Sequence, residues 1–206
     1  TRASYPRAGL ASADVVYVEP VEAGLTRLLA VFSSKMPPSV GPVRSSRESD
    51  VDLLANYGKV AFAFSGASDY TLGLVKKGAQ VNLSFDENRT GYTRDRKRRM
   101  PYDVIGSTSV LLNRAGGSVP PGDPGFYFGA APSNGAAGAS VQTSWTSSKI
   151  IFTFDKASGQ YLVSADGRPE KDALTGQPVR VANVIVQFVA THLTPNRDVN
   201  GVQTPV

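Results

Sequence analysis

Between Ser12 and Ser34 the chain reads SADVVYVEPVEAGLTRLLAVFSS, two apolar runs rich in β-branched and aromatic residues. Pro20, Glu22 and Gly24 lie between them, so the pattern predicts two strands joined by a turn. Next comes VGPVRSSRESD, Val40 to Asp50. Gly41-Pro42 turns the chain, and Ser45 followed three residues later by Glu48 fits a capping box. Val51, Leu54 and Ala55 share one helical face and Gly58 supplies a stop. A helix starting at Ser45 or Ser46 and running to about Tyr57 is therefore expected. Lys59–Ser68 is a short apolar run ending in small residues, a buried strand that feeds a loop. Asp69–Gly78 predicts a short helix, and Ala79–Asp86 alternates as a strand does. Glu87–Ile105 is polar and basic and predicts irregular structure. Ser107–Gly117 reads as a short helix with a glycine stop.

From Gly116 to Ser144 the pattern gives way to Gly, Pro, Ala and Ser, which predicts a linker. Phe126, Tyr127 and Phe128 stand out there as one docked patch. After it the chain is β-like. Ser148–Gly167 predicts a hairpin around an Ala-Ser-Gly turn, and Val179–Leu193 predicts a long buried strand. No internal repeat is evident. The order of elements implies an α+β fold: a mixed N-terminal α/β-type domain over residues 1–115, a linker over 116–144, and a small β-rich C-terminal part over 145–206.

Composition narrows the chemistry. The 206 residues are 41% hydrophobic, enough to bury a core, and no apolar run is long enough to span a bilayer. There is no cysteine, which excludes disulfides, thiol catalysis and cysteine-ligated metals, and suits an exported bacterial protein. The one histidine, His192, follows an apolar run and reads as a strand-end residue. No metal site and no cofactor are expected. The formal net charge of +5 favours anionic partners, although acids are interspersed throughout.

The stretch GPVRSSRESD has two readings. The positive end of a helix, the guanidinium groups of Arg44 and Arg47, and the hydroxyls of Ser45 and Ser46 would together cradle an anion. Alternatively, Glu48 and Asp50 complement the helix start and pair both arginines internally. Arg27 and Glu22 are either a strand-edge ion pair or a second wall of the same cleft. Arg89, Arg94, Arg96, Lys97, Arg98 and Arg99 are flanked by Tyr92 and Tyr102, a mixture that can stack on single strands or bind anionic glycans. The absence of any RNP, zinc-finger or helix-turn-helix pattern argues against nucleic acid. Glu22, Asp95 and Asp103 are the candidates for acid–base catalysis. No nucleophile elbow, Walker, zincin or EF-hand pattern completes a catalytic set, and Ser65 and Ser68 sit in a plain strand-to-helix loop.

AGLASADVVYVEPVEAGLTRLLAVF, VGPVRSSRESD, GYTRDRKRRMPYDVIG and DGRPEKDALTGQPVRVANVIVQF together resemble the DUF3048 family, over nearly the whole chain. Two departures stand out. Tyr102 and Asp103 follow Pro101 where the family has His-Asn, and the family's strand with Gly and Trp-Arg does not appear before Val206. The second implies a C-terminal part that is incomplete relative to the family. The resemblance implies an exported, envelope-associated protein with a lipid anchor outside this chain, and strengthens the anion reading because VGPVRSSR is the family's signature. The expected partner is then an anionic small molecule or cell-wall polymer. It would be held by Arg27, Arg44, Ser45, Ser46 and Arg47, with Arg94 or Arg99 or both. An enzyme acting on a glycan or phosphodiester through Glu22, Asp95 or Asp103 is the alternative.

Overall fold

The computed structural model describes residues 2–117, 122–127, 129–130, 133–198 and 201–206. As the order of elements predicts, a mixed α/β region with three helices precedes a β-rich domain. Strands β1 (Val15–Pro20) and β2 (Thr26–Val31) form an antiparallel hairpin whose register sets Glu19 opposite Arg27. The turn between them, Glu22–Gly24, bends through two left-handed residues, Ala23 (φ 58) and Gly24 (φ 66). After β3 (Ser39–Val40) and α1 (Glu48–Ala55), strand β4 (Ala61–Phe64), helix α2 (Asp69–Lys77) and strand β5 (Val81–Ser84) make a parallel crossover unit. Helix α2 forms where its ends allow it. The Ser68 hydroxyl accepts from Thr71 N at 3.2 Å, Asp69 stands in the first turn, and Lys76 and Lys77 stand in the last.

Two local expectations shift here. Helix α1 starts after Arg47, not at Ser45 or Ser46. The Asp50 carboxylate accepts from Arg47 N at 2.6 Å and closes the first turn. Val43 to Ser46 cannot join the helix because neighbouring strands claim its backbone. Val43 N donates to Val104 O (2.8 Å), Ser65 N to Arg44 O (2.9 Å) and Ser46 N to Gly66 O (2.9 Å). The basic stretch after Glu87 also contains regular structure. Strand β6 (Tyr92–Arg94) pairs with β7 (Val104–Ser107), and β7 pairs with β3. Two buried residues, Tyr92 and Val104, suffice to anchor this ladder while its basic residues stay outside. Helix α3 (Thr108–Arg114) follows directly.

The interval 116–144 is not continuous linker, because β8 (Ser140–Trp145) begins within it. The expected aromatic patch is not docked: Tyr127 is 99% exposed and Phe126 is 39% exposed, while Phe128 lies outside the described residues. Strands β8, β9 (Ser148–Asp155), β10 (Gln160–Ala165) and β11 (Arg168–Pro169) form one antiparallel sheet. Strand β12 (Arg180–Val181) also pairs with β10. The long buried strand expected over Val179–Leu193 ends at Val181. Beyond it no strand among the described residues offers a partner, and Ile185, Phe188 and Val189 are exposed. Apolar, β-branched composition favours a strand only where a neighbour covers it.

A last hairpin, β13 (Leu193–Arg197) with β14 (Gln203–Pro205), returns to the N-terminal region. Further ties hold the two regions together. Arg7 pairs with Glu170, the Asp172 carboxylate accepts from Ala11 N at 2.8 Å, and Ser147 N donates to Gly24 O at 2.9 Å. Among the described residues no helix is long and apolar enough to cross a membrane.

The N-terminal core is split. Leu29, Leu54, Tyr57, Val60, Phe62, Phe64 and Val75 form one buried cluster. Val43, Leu83, Phe85, Tyr92, Val104 and Leu111 form another. The site draws its lining from both.

Candidate functional site

A cavity of about 550 Å³ takes its walls from both halves of the core, including Leu29, Phe62 and Phe64 on one side and Leu83 and Leu111 on the other. At its polar end stand three guanidinium groups, Arg27, Arg44 and Arg47, with two carboxylates, Glu22 and Asp50. Strand β2 supplies Arg27. The extended segment before α1 supplies Arg44 and Arg47, because its backbone is stitched between β7 and the loop after β4.

The three arginines are not equivalent. Arg47 is fully engaged. Its Nε approaches Glu22 Oε1 to 2.8 Å, its second terminal nitrogen donates to Glu22 Oε2 at 2.9 Å, and its first donates to Ser46 O at 3.1 Å. Glu22 is in turn completed by the Thr204 hydroxyl at 2.9 Å, so the C-terminal hairpin helps to fix this pair. Arg44 meets no carboxylate. One terminal nitrogen donates to Pro101 O at 2.7 Å, the group lies 4.8 Å over the Tyr102 ring, and its buried Nε has no partner. Arg27 makes no hydrogen bond among the described residues, and its Nε is buried. Burial, reinforced by the charges of Arg47 and then Arg44, lowers its pKa to about 10. Burial likewise lowers that of Arg44.

Opposite Arg27, Glu19 is 6% exposed and both its carboxyl oxygens are buried without a hydrogen-bond partner. Burial, and then the nearby Asp50 charge, raises its pKa from 4.5 to about 8. Asp50 is also raised, by its own burial. A buried acid pair of this kind holds one proton between its members at neutral pH. With Glu19 neutral, the polar end carries three positive and two negative groups.

The remaining sequence candidates fall elsewhere. Ser45 lines the cavity, whereas Ser46 is buried away from it and its hydroxyl donates to Arg47 O at 3.3 Å. Arg94 and Arg99 are not among the lining residues. Arg94 pairs with Asp103 at 2.7 Å and lies 5.2 Å over Phe85, and Arg99 is exposed. Glu48 binds no arginine. It accepts from Thr194 and Asn196, each at 3.1 Å. Each carboxylate singled out for catalysis is tied to a guanidinium: Glu22 to Arg47, Asp103 to Arg94, and Asp95 to Arg98 at 3.3 Å.

Glu19 escaped the sequence reading, and Asp50 and Tyr102 were named there without this place in the site. Glu19 and Asp50 look like an ordinary strand acid and an ordinary helix-start acid, and their meeting depends on tertiary packing. Tyr102 had a signal in flanking the basic stretch. Its ring carries the Arg44 guanidinium.

Geometry and fold define a two-part α+β protein with a charged, partly apolar cavity in its first part. The chain belongs to the DUF3048 family: residues 1–119 match the domain described as "Protein of unknown function (DUF3048) N-terminal domain", and residues 140–205 match its C-terminal counterpart. It is 28% identical over 208 residues to "Putative lipoprotein YerB" of Bacillus subtilis (strain 168), covering 91% of this chain and 59% of that protein. The chain thus spans about three-fifths of that relative's length. The crystal structure of YerB from Bacillus subtilis superposes on all of this chain with a TM-score of 0.82 and 25% identity, over 70% of the YerB chain.

Proposed function

We propose that this is an exported cell-envelope protein that binds an anionic ligand at the Arg27–Arg44 end of the cavity. The name of the Bacillus relative, a lipoprotein, supports the location. One observation carries the binding reading: Arg27 is a half-buried arginine that makes no hydrogen bond among the described residues and whose Nε is buried, facing a cavity beside a second arginine whose Nε is also without a partner there. A buried charge left unpaired is costly, and an oxyanion is the partner whose geometry fits a guanidinium fork. Arg47 acts as a positioning residue, since Glu22 already satisfies it.

Replacing Arg27 with methionine tests this directly. The variant removes the unpaired charge at similar volume, so its melting temperature should rise while its affinity for inorganic phosphate or a small carboxylate falls at least ten-fold by calorimetry. A strongly lowered melting temperature together with unchanged affinity would mean that Arg27 is a structural group.

A further inference from the structure

The cavity is larger and more apolar than a small inorganic anion needs. We infer that its occupant is a single-chain amphiphile, with an oxyanion head on Arg27 and Arg44 and a hydrocarbon chain lying along the apolar side chains that line the rest of the cavity. This rests on the anion-binding reading above and specifies the ligand class.

Three observations carry it. First, the inward face of β2 has the same polarity gradient as such a molecule. Side chains two apart share a strand face, so Arg27, Leu29 and Val31 follow one another along the wall. The lining continues from Thr26 to Phe32, a run of roughly 20 Å at the usual rise per strand residue. That length suits an extended alkyl chain of medium length.

Second, the cavity is lined by side chains of both apolar clusters, which strand alternation places on opposite faces of the β4–β5 ladder, Phe62 and Phe64 with one and Ala61, Ala63 and Leu83 with the other. Leu29, Leu54, Phe62 and Phe64 face it from one, and Val43, Leu83 and Leu111 from the other. Protein interiors are close-packed, and an apolar cavity of this size is a site for an apolar guest. Third, two hydroxyls in the walls away from the arginines are internally satisfied. The Tyr57 hydroxyl is 2.8 Å from that of Tyr17, and the Thr108 hydroxyl donates to Pro37 O. Neither needs water in the cavity. Arg7, also in the lining, is paired with Glu170, so Arg27 and Arg44 are the lining arginines left to meet an anionic head.

The test is calorimetric titration of the whole chain with decanoate, decyl phosphate, decanol, acetate and inorganic phosphate, below the micelle concentration of each amphiphile. We expect decanoate or decyl phosphate to bind at least ten-fold more tightly than acetate, phosphate and decanol. The tighter of the two identifies the head group as carboxylate or phosphate. Ala63→Leu, which narrows the cavity wall, should reduce binding of the alkyl anions at least ten-fold and leave phosphate binding unchanged. The comparison among ligands on the unaltered chain stands even if that variant does not fold. Acetate or phosphate binding as tightly as its alkyl counterpart would overturn the amphiphile while leaving the anion site intact. Decanol matching decanoate would overturn the anion site, and no binding by any of the five would overturn both.

Discussion

Glu19 should make this protein less stable as the pH rises through the neutral range, and Glu19→Gln should abolish that loss. The carboxyl is held from an ordinary value of 4.5 up to about 8, first by burial and then by the Asp50 charge. Between those two pH values the folded chain keeps a proton that the unfolded chain releases. Stability therefore falls with rising pH across that window and levels off above about 8. Each pH unit of the window is worth about 1.4 kcal/mol, which sets a ceiling of roughly 5 kcal/mol on the loss. Glu19 is nearly solvent-free, so screening takes little from this figure. The glutamine side chain keeps the shape but cannot ionise. The assay is urea unfolding of both chains at intervals from pH 5 to pH 9. The stability difference should grow in favour of Glu19→Gln toward pH 8 and be smallest near pH 5. A difference that stays constant over the range would refute the reasoning, because Glu19 would then be ionised in the folded chain throughout. Asp50→Asn should flatten the same slope, since the proton belongs to the pair.

Arg44→Ala should weaken binding of an anion by about 1.5–3 kcal/mol for each charged hydrogen bond lost, and Arg44→Lys should restore only part of it because lysine lacks the planar fork; calorimetry of both variants decides. Anion affinity should itself decline as the pH passes about 8, where ionised Glu19 competes for Arg27, and titrations repeated across that range would show it. Gly24→Ala should cost about 1–3 kcal/mol in thermal unfolding, because the residue is left-handed (φ +66) and a Cβ there would lie 2.6 Å from Thr146 Cβ. Thr204→Val should cost about 1–3 kcal/mol by the same assay, since it strips a hydrogen bond from the buried Glu22 carboxylate.

Local periodicity was legible in the sequence wherever one face of an element meets the core. The β1–β2 hairpin, the β4–α2–β5 crossover and α3 all carry their own punctuation in Pro20, Gly24, Ser68 and Gly116. The readings that missed did so where a neighbour decides the outcome. Ser45 and Glu48 have capping-box spacing, but the backbone around Ser45 is bonded to Val104, Ser65 and Gly66, which pushes the helix start past Arg47. Val184 to Val189 has the composition of a strand and no strand among the described residues beside it. Among the site residues, arginines at Arg27, Arg44 and Arg47 were identifiable from type and motif. Which of them is free was not, because that depends on Glu22 arriving from the opposite turn and on Thr204 arriving from the far end of the chain.

The same arrangement explains how three guanidinium groups tolerate one another. Glu22 neutralises Arg47 through two oxygens, and Tyr102 with Pro101 O steadies Arg44 without a countercharge. Arg27 has Glu19 directly across the hairpin, which would be its natural partner if ionised. Burial beside Asp50 keeps Glu19 protonated at neutral pH instead. The pair that cross-strand pairing would ordinarily make is thus left open. Closing it would consume the cavity arginine that makes no hydrogen bond among the described residues. A carboxyl held neutral beside an unpaired arginine lowers stability, and it leaves a positive charge available inside an otherwise apolar cavity. That combination is the physical basis for expecting an anionic head group at this position and not at the exposed basic loop around Arg96, Lys97 and Arg99, where solvent already satisfies the charges.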